Sequence, residues 1–405
     1  ASSGNGFPVT ITQGSVPSTL DPQNHRKTPT VIALMQAYEK LLSRDQKGNV
    51  QAGLATGWKR VKPGHVRFTL RDGVTFHSGN TMTAEDVAFS INRIVQKDVG
   101  GIASPQKDQL AGVTKAKAGS DGKTVDVYSD GVNPLAFPQF ASYGWIMEKQ
   151  WVQNHKEGHI ATHINGTGPF ELDQYEQGVR LVYKRNENYY RDPAAVTKLT
   201  FNGAKEESVR VNKLVTGETD VTVNVSPQDI SRVNGAKKAT IDAVPSTRTI
   251  FNAMRYDVKP FSAPKFREAL NYAVDLQSIV KNVLSTFGDE TSQPGLQGFT
   301  GYDSQKSPYP HDPSKAESLV KQSGHAGASI TLHVPTGRYL KGVEIAQAVA
   351  SQIDSLSNVS CKVKQRDFST LAGEVTEARS RRRRTSTCSG GGTRRSIPRR
   401  PSRRC

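Results

Sequence analysis

The segment from Leu70 to Ile94, LRDGVTFHSGNTMTAEDVAFSINRI, constrains the fold of this chain more than any other stretch. Just before it, Val66 and Phe68 alternate with polar residues, which predicts a β-strand with one buried face. An Asp-Gly turn follows the strand. Thr83 then stands three residues before Asp86, which is the spacing of a helix capping box. The predicted helix has an apolar stripe of four residues, Val87, Ile91, Ile94 and Val95.

Other patterned segments also alternate between strands and helices. Residues 8 to 22 predict a short strand followed by a loop, and residues 29 to 42 predict a helix. Residues 170 to 175 and 179 to 184 predict a β-hairpin after a turn that contains glycine and proline. In the second half, the pattern predicts a helix capped by Asp312, a strand from Ile330 to Val334, a helix from Val343 to Leu356 and a strand from Val359 to Val363.

The length of 405 residues allows two or three domains with a substantial core. The sequence has no apolar run long enough to span a bilayer. It begins at Ala1 without an initiator methionine or a signal region, so we expect a mature or recombinant form whose export signal has been removed. Three cysteines, Cys361, Cys388 and Cys405, do not imply a disulfide framework.

The formal net charge of +17 is concentrated at one end of the chain. Residues 376 to 405 contain eleven arginines and a single acid, Glu377, which gives this segment a charge of +10. The first 375 residues carry the remaining +7. Most of the excess charge is therefore a property of the tail, and scattered lysine and glutamate elsewhere are typical of solvated surface.

Several segments together resemble the family 5 extracellular solute-binding proteins, which are the dipeptide, oligopeptide and nickel receptors of ABC importers. The segment from Leu70 to Ile94 resembles the family signature. The other matching segments are the triplet Leu20-Asp21-Pro22, YEKLLSRD, the stretch Asn165 to Asp192 with its GTGP turn, TGETDVTVNVSPQDI, STRTIFNAMRYDVKPFSAPKFREALNYAVD and YPHDPSKAESLVKQSG.

The resemblance covers about residues 8 to 375 and implies a particular α/β fold. This is the periplasmic-binding-protein-like two-lobed fold (class II) with a small inserted α+β domain, here with an incomplete second lobe. The implied divisions are residues 1–45 and 165–245 for lobe I, 46–164 for the inserted subdomain and 246–375 for the truncated lobe II.

The resemblance also implies a function. The chain is expected to be the binding protein of an ABC importer, not an enzyme, and to hold a peptide or similar small solute in a cleft between the lobes without a cofactor. A closed, ligand-bound form would then dock on permease subunits in the membrane. The implied location is periplasmic or extracellular, with a membrane-anchored lipoprotein before the N-terminus was shortened as an alternative, and the implied state is a monomer. Matching segments place five ligand-binding residues: Arg26, Thr28, Trp145, Asn224 and Phe251.

Three other functions are compatible with parts of the sequence. A metal or haem receptor of the same family is suggested by His155, His159 and His163, whose spacing of four residues suits a metal on a continuous helix. Gly158 argues against that continuity, and surface histidines are the simpler interpretation. A secreted hydrolase lacks any G-x-S-x-G or H-E-x-x-H motif to support it. The arginine tail raises the possibility of nucleic-acid binding, which we do not expect.

The tail, residues 376–405, has almost no aliphatic residues and is expected to be disordered. Its segment from Ser389 to Pro398 reads SGGGTRRSIP. The same residues result when GC-rich codons for Phe-Gly-Trp-Gly-Asn-Pro-Thr-Leu-Asp-Pro are read one nucleotide out of frame, and Gly-Trp followed by Asp-Pro is what the family has in this region. The tail is therefore interpreted as a frameshift product, with a native basic tail as the alternative.

Overall fold

A computed structural model describes residues 6–299, 301–368, 370–371 and 373–374. These residues form two compact units. Unit 1 contains the described residues up to Val225 together with Asp229–Asp242, and unit 2 contains Ser226–Gln228 and the described residues from Ala243 onward. The predicted tail, residues 376–405, lies outside the described residues.

Unit 1 contains eleven strands and seven α-helices among its described residues. In chain order these are β1 (Phe7–Gln13), α1 (Thr28–Leu34), β2 (Leu42–Arg44), β3 (Val50–Ala52), β4 (Ala55–Lys62), β5 (His65–Leu70), α2 (Ala84–Val95), β6 (Val113–Ala118), β7 (Thr124–Ser129), α3 (Ala136–Ser142), α4 (Lys149–Asn154), α5 (Glu157–Ile160), β8 (Phe170–Glu176), β9 (Arg180–Arg185), β10 (Val196–Gly203), α6 (Glu207–Thr216), β11 (Val221–Thr222) and α7 (Ile230–Gly235).

A five-stranded mixed sheet forms one half of unit 1, with the strand order β11-β1-β10-β9-β8. β1 is parallel to both of its neighbours, and Ile11 pairs with Phe201 on β10 and with Val221 on β11. The predicted hairpin is confirmed, because β8 and β9 are antiparallel neighbours. Parallel strands need a long connection, and here the chain between β1 and β10 includes the whole four-stranded sheet and the helices α1 to α5.

A separate four-stranded antiparallel sheet, in the order β4-β5-β7-β6, forms the other half of unit 1. The predicted alternation of β5 is confirmed, since Val66 and Phe68 are buried beneath α2 while Thr69 is exposed. The predicted start of α2 is also confirmed. The Thr83 hydroxyl accepts a hydrogen bond from the backbone N–H of Asp86, and the Asp86 carboxylate accepts one from the backbone N–H of Thr83. The four residues of the predicted apolar stripe are all buried.

The helix predicted from residues 29 to 42 is wrong in its length, because α1 ends at Leu34. The next residues give their carbonyl oxygens to other parts of unit 1 instead of to a helix. Gln36 accepts a hydrogen bond from Phe170 N, Ala37 from Gly168 N, and Glu39 from Ile146 N. These tertiary hydrogen bonds outweigh the helical periodicity of the segment.

Unit 2 is built around a two-stranded parallel sheet. Its elements are α8 (Pro264–Ala273), α9 (Leu276–Asn282), α10 (Pro313–Gln322), β12 (Ala328–Pro335), α11 (Gly342–Asp354) and β13 (Val359–Arg366). The helix α11 connects the two strands and packs on both. The predicted cap of α10 is confirmed, since the Asp312 carboxylate accepts a hydrogen bond from Lys315 N. A core around Phe266 and Leu270 joins α8, α10 and α11 to the sheet.

The strand predicted around Phe251 and Asn252 is wrong. The described residues between α7 and α8 contain no helix or strand. Phe251 is 67% exposed and its neighbours are also mostly exposed. A strand needs a partner for its backbone N–H and C=O groups, and no described strand pairs with this segment.

No helix among the described residues is both long enough and apolar enough to cross a membrane.

Candidate functional site

A cavity of about 230 Å³ lies within unit 1, and we call it the unit 1 cavity. Three of the five residues that the sequence places at a ligand site line it: Arg26, Thr28 and Trp145. They come from the loop before α1, from the first turn of α1, and from the segment after α3. The remaining lining residues are His25, Val31, Gln106, Gln109, Ser142 and Tyr143.

The loop that carries one wall of the cavity is fixed by a buried ion pair. Asp21 accepts two hydrogen bonds from the guanidinium of Arg93, at 2.7 Å and 3.1 Å, and both side chains are almost completely buried. Arg93 also donates to the side-chain oxygen of Gln23 and to the carbonyl of Gly100. An Arg–carboxylate pair with two parallel hydrogen bonds fixes orientation as well as position. The Leu-Asp-Pro triplet is therefore attached to the signature helix α2.

Trp145 is held in the cavity wall by two neighbouring segments, at Gln23 and at Lys40. The side-chain amide of Gln23 donates to the carbonyl oxygens of Trp145 and Ser90, at 2.7 Å and 3.0 Å. The backbone of Trp145 also forms an antiparallel bridge with Lys40. The Lys40 ammonium lies 4.3 Å from the centroid of the indole ring, which is a cation–π contact. Trp145 is only 2% exposed, so most of its ring packs within the protein.

Lys40 brings a positive charge close to the cavity without an acidic partner among the described ion pairs. Burial and, to a smaller degree, the nearby charge of Arg44 lower the pKa of the Lys40 ammonium to about 8. Arg44 itself donates to the hydroxyl of Ser142, which lines the cavity. These cations, together with Arg26, favour ligands that are neutral or negatively charged near this wall.

Arg26 occupies an open position at the cavity. Its guanidinium pairs with Asp108 at 2.9 Å, and the two side chains are 49% and 61% exposed. An exposed pair of this kind contributes little to stability, so Arg26 can exchange its partner for a ligand at small cost.

His25 and Gln106 form the buried polar part of the cavity wall. His25 is 7% exposed and Gln106 is 3% exposed. The side-chain amide nitrogen of Gln106 donates to the carbonyl oxygens of Pro22 and His25, at 2.7 Å and 3.0 Å. These bonds determine which way the amide faces. Burial lowers the pKa of His25 from 6.5 to about 4, so its imidazole is neutral near pH 7.

The other two predicted ligand residues do not line this cavity. Asn224 follows β11 in unit 1 and is exposed, with a left-handed backbone conformation (φ 59°) that asparagine tolerates better than most residues. Phe251 belongs to unit 2. The structure therefore brings together three of the five predicted residues, and the ligand role of all five stays a prediction.

The signature segment contributes to the architecture of unit 1 and not to the wall of the cavity. Glu148 is 6% exposed and accepts hydrogen bonds from Ser78 Oγ and Asn80 Nδ2, both at 2.7 Å, and from Asn165 Nδ2. Asn165 also accepts a hydrogen bond from Ser78 N. We call these four residues the Glu148 cluster. It joins the Ser-Gly-Asn turn of the signature to the turn that precedes β8.

The stretch that resembles the family at Asn165 to Asp192 contributes a second buried cluster. The carboxylate of Glu39 accepts hydrogen bonds from the hydroxyls of Tyr189, Tyr190 and Thr167, at 2.9 to 3.0 Å. Burial raises the pKa of Glu39, while these hydrogen bonds lower it by a smaller amount. Glu39 is adjacent to Lys40 in the chain, so these hydrogen bonds fix the segment whose Lys40 side chain packs on the Trp145 ring.

The three histidines at positions 155, 159 and 163 form a stack, with ring centroids 4.1 Å and 3.8 Å apart. The helices α4 and α5 break between them, so the continuous helix that a metal site would need is absent from this stretch. Among the described residues, no group of three or more His, Cys, Asp or Glu side chains could hold a metal ion.

A larger cavity of about 390 Å³ runs along α2 and β6. Charged side chains at its edge, Glu85 and Lys149, pair with each other at 3.1 Å. None of the predicted ligand residues lines it. The smaller cavity is the better candidate, because it has aromatic walls and several polar groups that converge on one space.

Sequence reasoning missed several residues of the unit 1 cavity. His25 is adjacent to Arg26, so the segment was correctly chosen but the residue was not. Gln106 lies in a stretch without a distinctive pattern, and no signal in one sequence identifies it. Tyr143 stands two residues before Trp145 in the matching segment SYGWIMEKQWV, so the segment was correctly chosen but the residue was not. Lys40, which packs on the Trp145 ring but does not line the cavity, lies in the matching segment YEKLLSRD, and its role behind Trp145 was not predicted.

Comparison with known proteins identifies a family. A sequence profile of the bacterial extracellular solute-binding proteins, family 5 (middle), matches residues 49–387, which is most of the chain. The dipeptide-binding protein of Escherichia coli K12 is 27% identical over 300 residues, which cover 69% of this chain and 56% of that protein. The glutathione-binding protein GsiB of Salmonella typhimurium is 26% identical over 375 residues, covering 91% of this chain and 71% of that protein. The chain thus spans only part of the length of these relatives.

A solved structure shares the fold. The dipeptide-binding protein of Pseudoalteromonas sp. SM9913, in complex with Met-Leu, matches with a TM-score of 0.80 at 21% identity over 92% of this chain and 78% of that protein. The predicted α/β fold class is therefore confirmed.

Proposed function

Because the chain belongs to the bacterial extracellular solute-binding proteins of family 5, we propose that it binds a peptide or a similarly sized solute for an ABC importer. The observation that carries this proposal is the unit 1 cavity, where Arg26, Thr28 and Trp145 converge. A buried aromatic wall with a few fixed polar groups suits a small ligand that must be oriented as well as held.

The ligand class is supported by the relatives. One binds dipeptides and another binds glutathione, which is itself a small peptide. The cations near Trp145 suit a ligand with neutral or negative groups on this side. We propose Asn224 and Phe251 as further ligand contacts, on the basis of their matching segments.

The organisation into lobes is part of the same proposal. Residues 7–13 share one sheet with residues 170–203 and 221–222, which supports lobe I as residues 1–45 and 165–245. Residues 55–129 form their own sheet, which supports the inserted subdomain at 46–164. Unit 2 corresponds to the proposed lobe II at 246–375.

We propose that the protein acts outside the cytoplasm as a monomer without catalytic activity, and that it delivers its ligand to permease subunits in the membrane. A lipid anchor would place it near those subunits. No cofactor is required for this role.

A thermal-shift screen tests the function. The purified chain is mixed with dipeptides, oligopeptides, glutathione, nickel–histidine, haem and common sugars. A ligand that binds only the folded state stabilises it by about 2.7 kcal/mol at a concentration one hundred times its Kd, so a peptide ligand should raise the melting temperature by several degrees. Arg26→Met should reduce this rise, whereas the control Arg180→Met on β9 should not. A rise with haem or nickel–histidine alone would favour the metal-receptor function, and no rise with any compound would contradict the proposal.

A further inference from the structure

Two side chains in the wall of the unit 1 cavity have polar atoms without a hydrogen-bond partner. Neither ring nitrogen of His25 has a partner among the described residues, and neither does the side-chain oxygen of Gln106. Both side chains are more than nine-tenths buried, and both line the same cavity. Two unpaired groups at one cavity are unusual, because most buried polar groups are hydrogen-bonded.

The orientation of these groups is not accidental. If the Gln106 amide were turned over, its oxygen would face the carbonyl oxygens of Pro22 and His25, so the observed orientation leaves the oxygen free of these contacts. The main chain of His25 is held by the same amide. The unpaired atoms therefore belong to a fixed part of the wall, and leaving them unpaired costs stability.

The half-buried His77 of unit 1 shows how the ring of a structural histidine is hydrogen-bonded. In His77, one ring nitrogen accepts from Gly166 N at 3.3 Å and the other donates to the carbonyl of Gly168 at 3.1 Å. Both nitrogens of His77 are thus used to fix the turn before β8. His25 has no such structural use.

We propose that His25 and Gln106 form a subsite for a peptide amide group, and that a ligand supplies the hydrogen bonds which these side chains lack in the free protein. The proposal rests on the proposed function and specifies one part of its site. A ligand group that reaches the His25 ring nitrogens or the Gln106 oxygen gains hydrogen bonds while the Gln106 amide nitrogen keeps its own to Pro22 and His25.

The chemistry of the two side chains selects an amide. A neutral imidazole offers one donor and one acceptor, and the Gln106 oxygen is a second acceptor. The C=O of a peptide group can accept from the imidazole N–H, and its N–H can donate to the Gln106 oxygen. One peptide group therefore pairs with both side chains. A carboxylate has no N–H or O–H and leaves the Gln106 oxygen unpaired. An ammonium group has no acceptor, and the cations Arg26 and Lys40 disfavour it.

Paired histidine variants test the subsite. The probes are Met-Leu, its ester analogue in which oxygen replaces the peptide N–H, and glutathione, with binding measured by calorimetry. We expect His25→Leu to weaken the binding of Met-Leu or glutathione at least about tenfold while its melting temperature stays equal to or above that of the wild type, because no protein hydrogen bond is lost. The control His77→Leu should lower the melting temperature. The wild type should bind the ester about tenfold more weakly than Met-Leu.

The outcomes separate the subsite from the function. Wild-type affinity in His25→Leu, or equal binding of amide and ester, would overturn the subsite and leave the proposed function intact. If the wild type binds neither Met-Leu nor glutathione, the subsite is overturned, and the wider screen decides the function separately.

A second measurement needs no variant. The ¹⁵N shifts of the His25 ring should move toward hydrogen-bonded values when either probe binds. Unchanged shifts at saturation would contradict the proposal.

Discussion

His25 is buried and His77 is half-buried in unit 1, and burial lowers the pKa of each. For His25 the pKa falls to about 4, and the nearby charges of Asp21 and Lys27 have smaller, opposite effects. The folded protein therefore resists protonation of His25, whereas the unfolded chain takes up the proton below about pH 6.5. Above pH 6.5 the neutral His25 therefore leaves the free energy of unfolding at its full value. As the pH falls from 6.5 toward 4, this free energy decreases.

The first prediction follows from this difference in pKa. Between pH 6.5 and 4, His25 should reduce the free energy of unfolding by about 1.4 kcal/mol for each pH unit. His25→Leu removes this contribution, so its stability should fall less steeply than that of the wild type. Urea unfolding at pH 7.5 and pH 5 measures both slopes. Equal slopes in the two proteins would show that His25 is not held in its neutral form.

The second prediction compares two ion pairs, one at Asp21 and one at Arg26, that lie at the two ends of the same loop. Asp21→Asn leaves the completely buried Arg93 without its counter-charge and should cost about 3–5 kcal/mol. Asp108→Asn removes the partner of the exposed Arg26 and should cost less than about 1 kcal/mol. Urea unfolding at pH 7.5 gives both values. Similar costs for the two variants would mean that burial does not determine the strength of these pairs.

At the scale of elements, local signals predicted those segments whose partners are close in sequence. The capping box at Thr83 and the alternation of β5 are complete within a few residues, and both are observed. The end of α1 could not be predicted, because it depends on hydrogen bonds to residues more than one hundred positions away. The strand predicted at Phe251 failed for the related reason that a strand is defined by its partner.

The Glu148 cluster explains why the signature and the segment at Asn165 occur together. Sequence similarity identified both segments but could not show that one buried carboxylate joins them, since nothing in the sequence pairs Glu148 with either turn. The signature is thus an architectural feature that positions the chain on either side of Trp145.

The third prediction concerns this cluster. Glu148→Gln has one acceptor oxygen in place of two, so it must leave Asn80 or the Ser78–Asn165 side of the cluster without an acceptor. We expect a loss of about 2 kcal/mol in the free energy of unfolding, because hydrogen bonds to a buried charge are strong. Glu187→Gln, where the exposed Glu187 pairs with Arg185, is the matched control and should change stability by less than about 1 kcal/mol. Indistinguishable unfolding curves for the two variants would rule out this role of Glu148.

At the scale of the whole molecule, the sequence predicted the family and fold class more completely than the site. The family is identified by many matching segments that occur in the expected order along the chain. Each match strengthens the evidence that the others provide. The cavity depends on side chains from three separated stretches, and only the segment at Arg26 and the position of Trp145 were accessible from resemblance. His25 and Gln106 became visible through their burial and their unpaired polar atoms, which are properties of the folded chain.

The central claim is that a solute binds at the wall formed by Trp145, and a single-tryptophan protein tests it most directly. Trp58→Phe combined with Trp151→Phe leaves Trp145 as the only tryptophan. Titration with Met-Leu, glutathione and any further ligand from the screen should change the Trp145 emission with the same Kd that calorimetry gives. Calorimetric binding with unchanged Trp145 emission would place the ligand elsewhere, and the absence of binding by every compound would contradict the account as a whole.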